Sequence, residues 1–430
     1  MYLRCICSNK YEYAIGKEEK KCITLPSTVV LPHDLIVELL SYLPVKSLVR
    51  FRSVCKSWKT VIYDPTFVKL HLKRSPTRNP LFTLTTYHVP RTLGYYYSVI
   101  PYPISRFIEN RSFNLSVDPY YSLEDKECSH IVGTCNGLIC LSHYSYIDDQ
   151  FNKEFWLRLW NPATRTISPQ FGYFRGFYVF DFKFGYDNST GKYKVVAFRY
   201  HNQKSNVRIL SFGDNVWRDI EGLPAVPVHL HFNYHEHAAI GCVYLCGSLN
   251  WLAIHNINEY NYKDITVGQF LIVSLDLGTE TYNQYMLPRR VDGVLSGTPT
   301  VSVLGGCLCF SYSYKETDFV IWQMKKFGVE DSWTQFLKIS FHNLQVECNF
   351  SKPRMMHYFE LVPLFLSENG DTLALTSIGD SNAILYNLSD NRVEQTKFTA
   401  ARITTSGCSQ WRNQKKITGW AAKKFMTYNL

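Results

Sequence analysis

The sequence predicts a multidomain chain of α plus all-β class, a small N-terminal bundle of three helices followed by a β-propeller of about six blades. Three observations carry that expectation. Apolar residues keep helical spacing only between Leu31 and Arg74. From about residue 80 they alternate in short runs separated by Gly, Asn, Asp and Pro, a strand-and-turn pattern. One hairpin design then recurs: aligned on Asn161, Phe212, Asp276, Met324 and Asn387, its copies stand 51, 64, 48 and 63 residues apart. A length of 430 residues also exceeds one ordinary core.

In the helical part, Leu35, Ile36, Leu39, Leu40 and Leu43 form the stripe of a first helix. It ends at Leu43-Pro44, because the residue before a proline is driven out of the helical region. Val45, Leu48 and Phe51 continue on a second helix, and Val54, Trp58, Val61 and Ile62 on a third. Asp64-Pro65 fits an N-cap with proline at the first helical position, opening a last short helix with Phe67 and Leu70 inward. A bundle of about 45 residues buries too little to be stable alone. Leu31-Pro32, Leu43-Pro44 and the aliphatic stripe are therefore expected to leave an open apolar face for a partner.

The β part is built from two alternating elements. One is a strand, a polar turn and a second strand: "RLWNPATRTISPQ", "RILSFGDNVWRDIEGLP", "LIVSLDLGTETYNQYMLP", "VIWQMKKFGVEDSWTQFLKI" and "AILYNLSDNRVEQTKF". The other is a glycine turn leading into a nearly all-apolar strand: "GTCNGLICL", "GSLNWLAI", "GGCLCFSY" and "GDTLALTS". A period near 50 residues, four strands per unit and no helices between them describe a kelch-like propeller, to which residues 75–130 add an earlier, irregular blade. Aromatic residues at 15% of the chain, mostly 30 Tyr and 27 Phe, favour strands as well. Trp156, Trp160, Trp217, Trp251, Trp322 and Trp333 fall at repeated blade positions and read as packing residues.

Composition excludes several function classes. The net charge of +10 resides in residues 1–30 (+2), 31–74 (+5) and 400–430 (+6), leaving 75–399 at −3, so the large domain has no electrostatic footprint for nucleic acid. The basic stretch at 400–430 reads as a solvated tail or an atypical last blade. Glycines and polar residues interrupt the charge-free run His237–Asn258, which leaves no membrane span. Residues 1–27 lack the apolar core of a signal peptide and read as a disordered segment, which predicts a cytoplasmic or nuclear protein. Its 13 cysteines, without a C-x-x-C pair, are expected to be free thiols, with Cys242, Cys246, Cys307 and Cys309 buried in apolar strands.

No catalytic or phosphate-binding motif is present. His229, His231, His235 and His237 with Glu236 form a dense histidine cluster, but Ala239 stands where H-E-x-x-H needs its second histidine. The cluster reads as a polar loop, and neither a metal nor a cofactor is expected. The acid pairs Asp148-Asp149 and Asp181/Asp187 lack a spacing that would define a catalytic pair.

The run "LPHDLIVELLSYLPVKSLVRFRSVCKSWKTVIYDPTFVKLHL" resembles the F-box at nearly every signature position. "LWNPATRTI", "FGYDNSTGKYKVV" and "GCVYLCGSLNWLAI" are similar to the F-box-associated domain of a large plant family that includes the S-locus F-box proteins. That resemblance implies an F-box over 28–74 and an F-box-associated propeller over 75–399. It implies Leu31, Pro32, Leu35, Ile36, Leu43, Pro44, Val45, Leu48, Phe51, Val54 and Trp58 as the adaptor-facing or bundle-packing set, two roles left unseparated here. It further implies a non-catalytic subunit of a ubiquitin ligase, with a Skp-type adaptor, cullin and RING subunits and an unknown target as partners. A surplus of basic residues in the F-box, Lys46, Arg50, Arg52, Lys56 and Lys59 among them, suits an acidic adaptor surface. Loops 94–121, 170–180, 229–237 and 258–264 are the expected target-binding positions. A scaffold outside a ligase and a carbohydrate-binding propeller are the competing functions.

Overall fold

In the computed structural model, the helices and the strands fall into two separate compact units. The structure describes residues 31–74, 130–147, 152–176, 180–201, 204–228, 241–254, 266–288, 299–346, 361–377 and 382–398, with short pieces at 81–88, 96–103, 108, 112–113, 123–124 and 402–404.

The helical unit contains a bundle of three helices and, after Asp64-Pro65, the expected last short one: α1 (His33–Ser41), α2 (Val45–Phe51), α3 (Lys56–Tyr63) and α4 (Pro65–Arg74). Proline precedes both α1 and α2, at Pro32 and Pro44, as expected of a residue that closes one segment and pre-sets the next. Asp64 caps α4, its Oδ1 accepting the amides of Thr66 (2.6 Å) and Phe67 (3.3 Å). Leu40, Leu48, Val61, Ile62 and Phe67 form the core, and Ile36, Val37, Leu43, Phe51 and Trp58 pack around it half-buried. The fourth helix is needed because Phe67 closes that core. Val54, expected on the third helix, lies instead in the turn between α2 and α3.

The β unit contains six sheets among the described residues. The first holds β1 (Leu81–His88), β2 (Tyr96–Pro103) and β4 (Leu123–Glu124); the two-residue β3 (Ser112–Phe113) branches off elsewhere. The second holds β5 (His130–Cys135), β6 (Leu138–Tyr146), β7 (Lys153–Asn161), β8 (Thr166–Ile167) and β9 (Phe171–Gly176). The third is β10 (Asp181–Asp187), β11 (Lys192–His201), β12 (Lys204–Ser211) and β13 (Trp217–Ile220). In the fourth, β14 (Val226–Pro227) and β15 (Cys242–Leu245) both pair with β16 (Ser248–Ile254), followed by β17 (Phe270–Asp276) and β18 (Tyr282–Met286). The fifth is β19 (Thr300–Leu304), β20 (Cys307–Tyr314), β21 (Asp318–Met324) and β22 (Trp333–Ser340). The sixth is β23 (Leu361–Leu366), β24 (Thr372–Ser377), β25 (Asn382–Asn387) and β26 (Val393–Phe398).

Each glycine-turn element is a second strand, and each repeated hairpin joins a third strand to a fourth. Consecutive sheets bury their faces against one another. Val196, Phe198 and Ile209 of the third sheet meet Trp251, Leu271 and Val273 of the fourth, and Ile272 of the fourth shares a cluster with Leu308, Phe310 and Trp322 of the fifth. Leu304, Phe319 and Ile321 continue it onto Leu373, Leu375 and Tyr386 of the sixth. Gly185 permits the third and fourth sheets to approach: a Cβ there would lie 2.5 Å from Leu277 Cδ1 and 2.8 Å from Tyr244 Cδ2.

Turn chemistry fixes the hairpins. Asn161, Asp276 and Asn387 end their strands and accept, through the side chain, the amides two and three residues on. Four residues beyond each, Arg165, Glu280 and Asn391 take positive φ. In the third sheet the matching strand end is Ser211, with Asn215 at φ 53°, so the repeat aligns there on Ser211 and not on Phe212.

Two pairings join chain-distant segments. β27 (Arg402–Thr404), from the stretch expected as tail or atypical last blade, pairs antiparallel with β1 through Thr83–Thr404. β3 runs parallel to β26 through Ser112–Lys397, linking a segment beside the first sheet to the sixth.

Candidate functional site

The first helix carries two apolar faces. Ile36, Leu40 and Leu43 turn to the bundle core, whereas Leu35 and Leu39 stand 50% and 58% exposed; Tyr42, just after α1, is 54% exposed, and Val54, in the turn after α2, 43%. Pro32 and Pro44 are exposed too, and Leu31 and Val45 are half-buried. The structure thus divides the residues singled out from sequence. Leu48 is core, Ile36, Leu43, Phe51 and Trp58 pack around it, and Pro32, Leu35, Pro44 and Val54 face solvent. Leu39 belonged to the stripe, but its exposure, like that of Tyr42, is visible only in the fold. The signal was present as surplus: an amphipathic helix needs one stripe, and α1 has more apolar residues than one stripe holds.

Polar contacts hold this face in place. His71 is buried, which lowers its pKa although the Leu43 carbonyl opposes that shift, and Nε2 of the neutral ring donates to Leu43 O (2.8 Å). Arg74 pairs with Glu38 and donates to Ser41 Oγ (3.1 Å), and Arg52 donates to Tyr63 Oη (2.7 Å). Phe51 and Trp58 meet edge-on at 5.3 Å. Arg50, Lys56 and Lys59 are exposed.

In the β unit, antiparallel order sends connections to two ends. First-to-second and third-to-fourth connections share one end, and several of the described ones are tight turns, such as Cys135–Leu138, Leu304–Cys307 and Asn161–Thr166. Second-to-third and sheet-to-sheet connections leave from the other end, among them 255–269, 287–299 and 341–360. Long connections at one end of a rigid set of sheets are where binding residues concentrate. Loop 258–264 leaves from this end but lies outside the described residues, as do 229–237 and its histidines, and Asp148-Asp149. Segment 94–121 is described only over β2, residue 108 and β3. The expected loop at 170–180 is instead largely the strand β9, because Phe174 stacks on Phe155 (5.1 Å) and meets Trp217 edge-on (5.1 Å).

Asp181 and Asp187 each serve a lysine: Asp181 lies 3.0 Å from Lys183, and Asp187 3.0 Å from Lys194. Burial works against the Asp187 carboxylate, but hydrogen bonds from Ser189, Thr190 and Lys194 outweigh it and bring the group down to about 2. No group of three or more potential metal ligands occurs among the described residues. Described cysteines are free; burial pushes Cys242 and Cys309 up to about 12. Cys246, expected buried, is exposed, because it occupies the turn into β16 at φ 51°. Trp160, Trp251 and Trp322 are buried, as packing residues should be; Trp156, Trp217 and Trp333 are half-buried.

Comparison with known proteins bears on both units. The F-box domain model matches residues 30–70, and the model for the F-box associated beta propeller domain matches residues 102–410. The chain belongs to the F-box proteins with an F-box-associated β-propeller. Similar F-box proteins occur in Arabidopsis thaliana. The F-box/kelch-repeat protein At3g23880 is 30% identical over 322 residues, covering 72% of this chain and 79% of the relative. F-box protein CPR1 is 25% identical over 403 residues, covering 87% and 84%. Among solved structures, the β-propeller domain of the Trilobed protease from Pyrococcus furiosus is similar at a TM-score of 0.38 and 7% identity, covering 75% of this chain and 86% of that one. As an F-box protein, the chain has its exposed α1 face inside the segment that the F-box model matches. No described helix is long and apolar enough to cross a membrane.

Proposed function

We propose that this F-box protein is the substrate-recognition subunit of a Skp-cullin-F-box ubiquitin ligase. The helical unit, as an F-box over 28–74, binds a Skp-type adaptor and through it the cullin and RING subunits. The β unit, as a propeller over 75–399 whose six sheets act as blades, holds a target protein for ubiquitination in the cytoplasm or nucleus. One observation carries this reading: α1 exposes Leu35 and Leu39 while a separate stripe, Ile36, Leu40 and Leu43, closes the bundle. Aliphatic side chains gathered on one exposed face favour association, because water is released when they are covered.

The proposed adaptor contacts are Leu31, Pro32, Leu35, Pro44 and Val54, extended by Leu39 and Tyr42. Ile36, Leu43, Val45, Leu48, Phe51 and Trp58 are assigned to holding that face in shape. Exposed Arg50, Lys56 and Lys59 steer an acidic partner and act on association rate more than on affinity. The subunit does no chemistry itself; it raises the effective concentration of a target lysine near the charged enzyme. Reconstitution tests this. The chain mixed with purified adaptor, cullin and RING subunits should elute as one complex with ubiquitin-transfer activity, and elution of a folded chain apart from the adaptor refutes it.

A further inference from the structure

Three lysines are buried among the described residues, and the fold treats one of them differently. Lys183 is 3.0 Å from Asp181, while Lys194 is 3.0 Å from Asp187 and 2.8 Å from Glu280. Lys153, only 7% exposed, has no carboxylate within ion-pair distance among the described residues. Its ammonium instead lies over two rings, 4.1 Å from the centroid of Tyr144 and 5.0 Å from that of Tyr146. Burying a cation without an anion is costly, and ring faces offset that only in part.

Lys153 pairs across β6 and β7 with Tyr146, flanking the 147–152 connection at the end from which the long connections leave. One imidazole stands on the same face: His130 stacks on Tyr144 at 6.4 Å and lies close enough to Lys153 to feel its charge. The nearest acidic side chain in sequence, Glu154, is engaged by Arg175 at 3.2 Å. Tyr146 and the residue after it, Ile147, are exposed.

We propose that this corner of the second sheet is an anion-binding site, in which Lys153, reached past the exposed ring of Tyr146, takes an anionic side chain of the bound target. Carboxylate and phosphate share the chemistry that the Lys153 ammonium recognises. The assignment rests on the reading of the β unit as the target-holding part of the chain.

Calorimetric titration of the full chain, in a buffer of low chloride, with inorganic phosphate and separately with glutarate tests it. Saturable binding of one or both is expected, weakened at least about tenfold by Lys153→Met and kept by Lys153→Arg. Phosphate alone would mark a phosphorylated side chain, glutarate alone an acidic segment, and both a site selective for charge only. Absence of saturable binding of either, or equal binding by the folded Lys153→Met variant, overturns the proposal. If that variant does not fold, Tyr146→Ala serves, since an exposed ring can be removed without loss of core; its unchanged affinity for both probes counts against the site. Adaptor capture is measured separately, so failure of one reading leaves the other standing.

Discussion

The ammonium of Lys194 sits 3.0 Å from the Asp187 carboxylate with both side chains out of solvent. Together with Glu280 and the Leu277 carbonyl, this pair ties the third sheet to the fourth. Removing one partner strands the other charge. Lys194→Met should therefore destabilise the β unit by about 3–5 kcal/mol, a larger loss than most surface substitutions cause. The acid limb follows from the depressed Asp187 pKa, about 2 against an ordinary 3.8. Its contribution is complete above the ordinary value and is lost as pH falls through the folded one. Denaturant titrations between pH 5 and 2 should show a decline that Asp187→Asn flattens.

Aromatic donors at the start of three outer strands reach back to the backbone of the preceding sheet or of the residue just past it. Trp217 Nε1 donates to Gly172 O (2.8 Å), Tyr282 Oη to Glu221 O (3.0 Å) and Trp333 Nε1 to Met286 O (3.1 Å). Tyr282→Phe deletes only the hydroxyl. It should cost about 0.5–1.5 kcal/mol in thermal unfolding, and Trp333→Phe somewhat more through lost area.

The helical unit separates stability from its exposed face. Leu40→Ala and Leu48→Ala remove buried side chains and should cost about 2–5 kcal/mol each. Leu35→Asp and Leu39→Asp act at exposed positions and should stay within about 0.5 kcal/mol. Circular dichroism melts of the four variants check the contrast.

Much of this architecture was legible because its periods differ. The spacing of Leu35 to Leu43 is helical, whereas "GSLNWLAI" can bury all its residues only as a strand covered on both sides. The glycine elements and hairpins fell where the second strands and outer turns lie. Less legible were features that depend on what a neighbouring element covers. Leu39 and Leu40 are indistinguishable as sequence, and only the positions of α2 to α4 bury one and expose the other. Phe171–Gly176 reads as an aromatic loop until Phe155 and Trp217 are seen to receive Phe174. Lys153 in "NKEFWLRLW" gives no sign in sequence that its charge is buried over two tyrosine rings.

The most direct test of the central claim is the affinity of the purified chain for a Skp-type adaptor, set beside that of a Leu35→Asp, Leu39→Asp double variant shown to be folded. Tight binding by the wild type, weakened by about a hundredfold or more in the variant, is the predicted result. Equal affinity in the two proteins, or no binding by folded wild type, would contradict the assignment of this face to the adaptor.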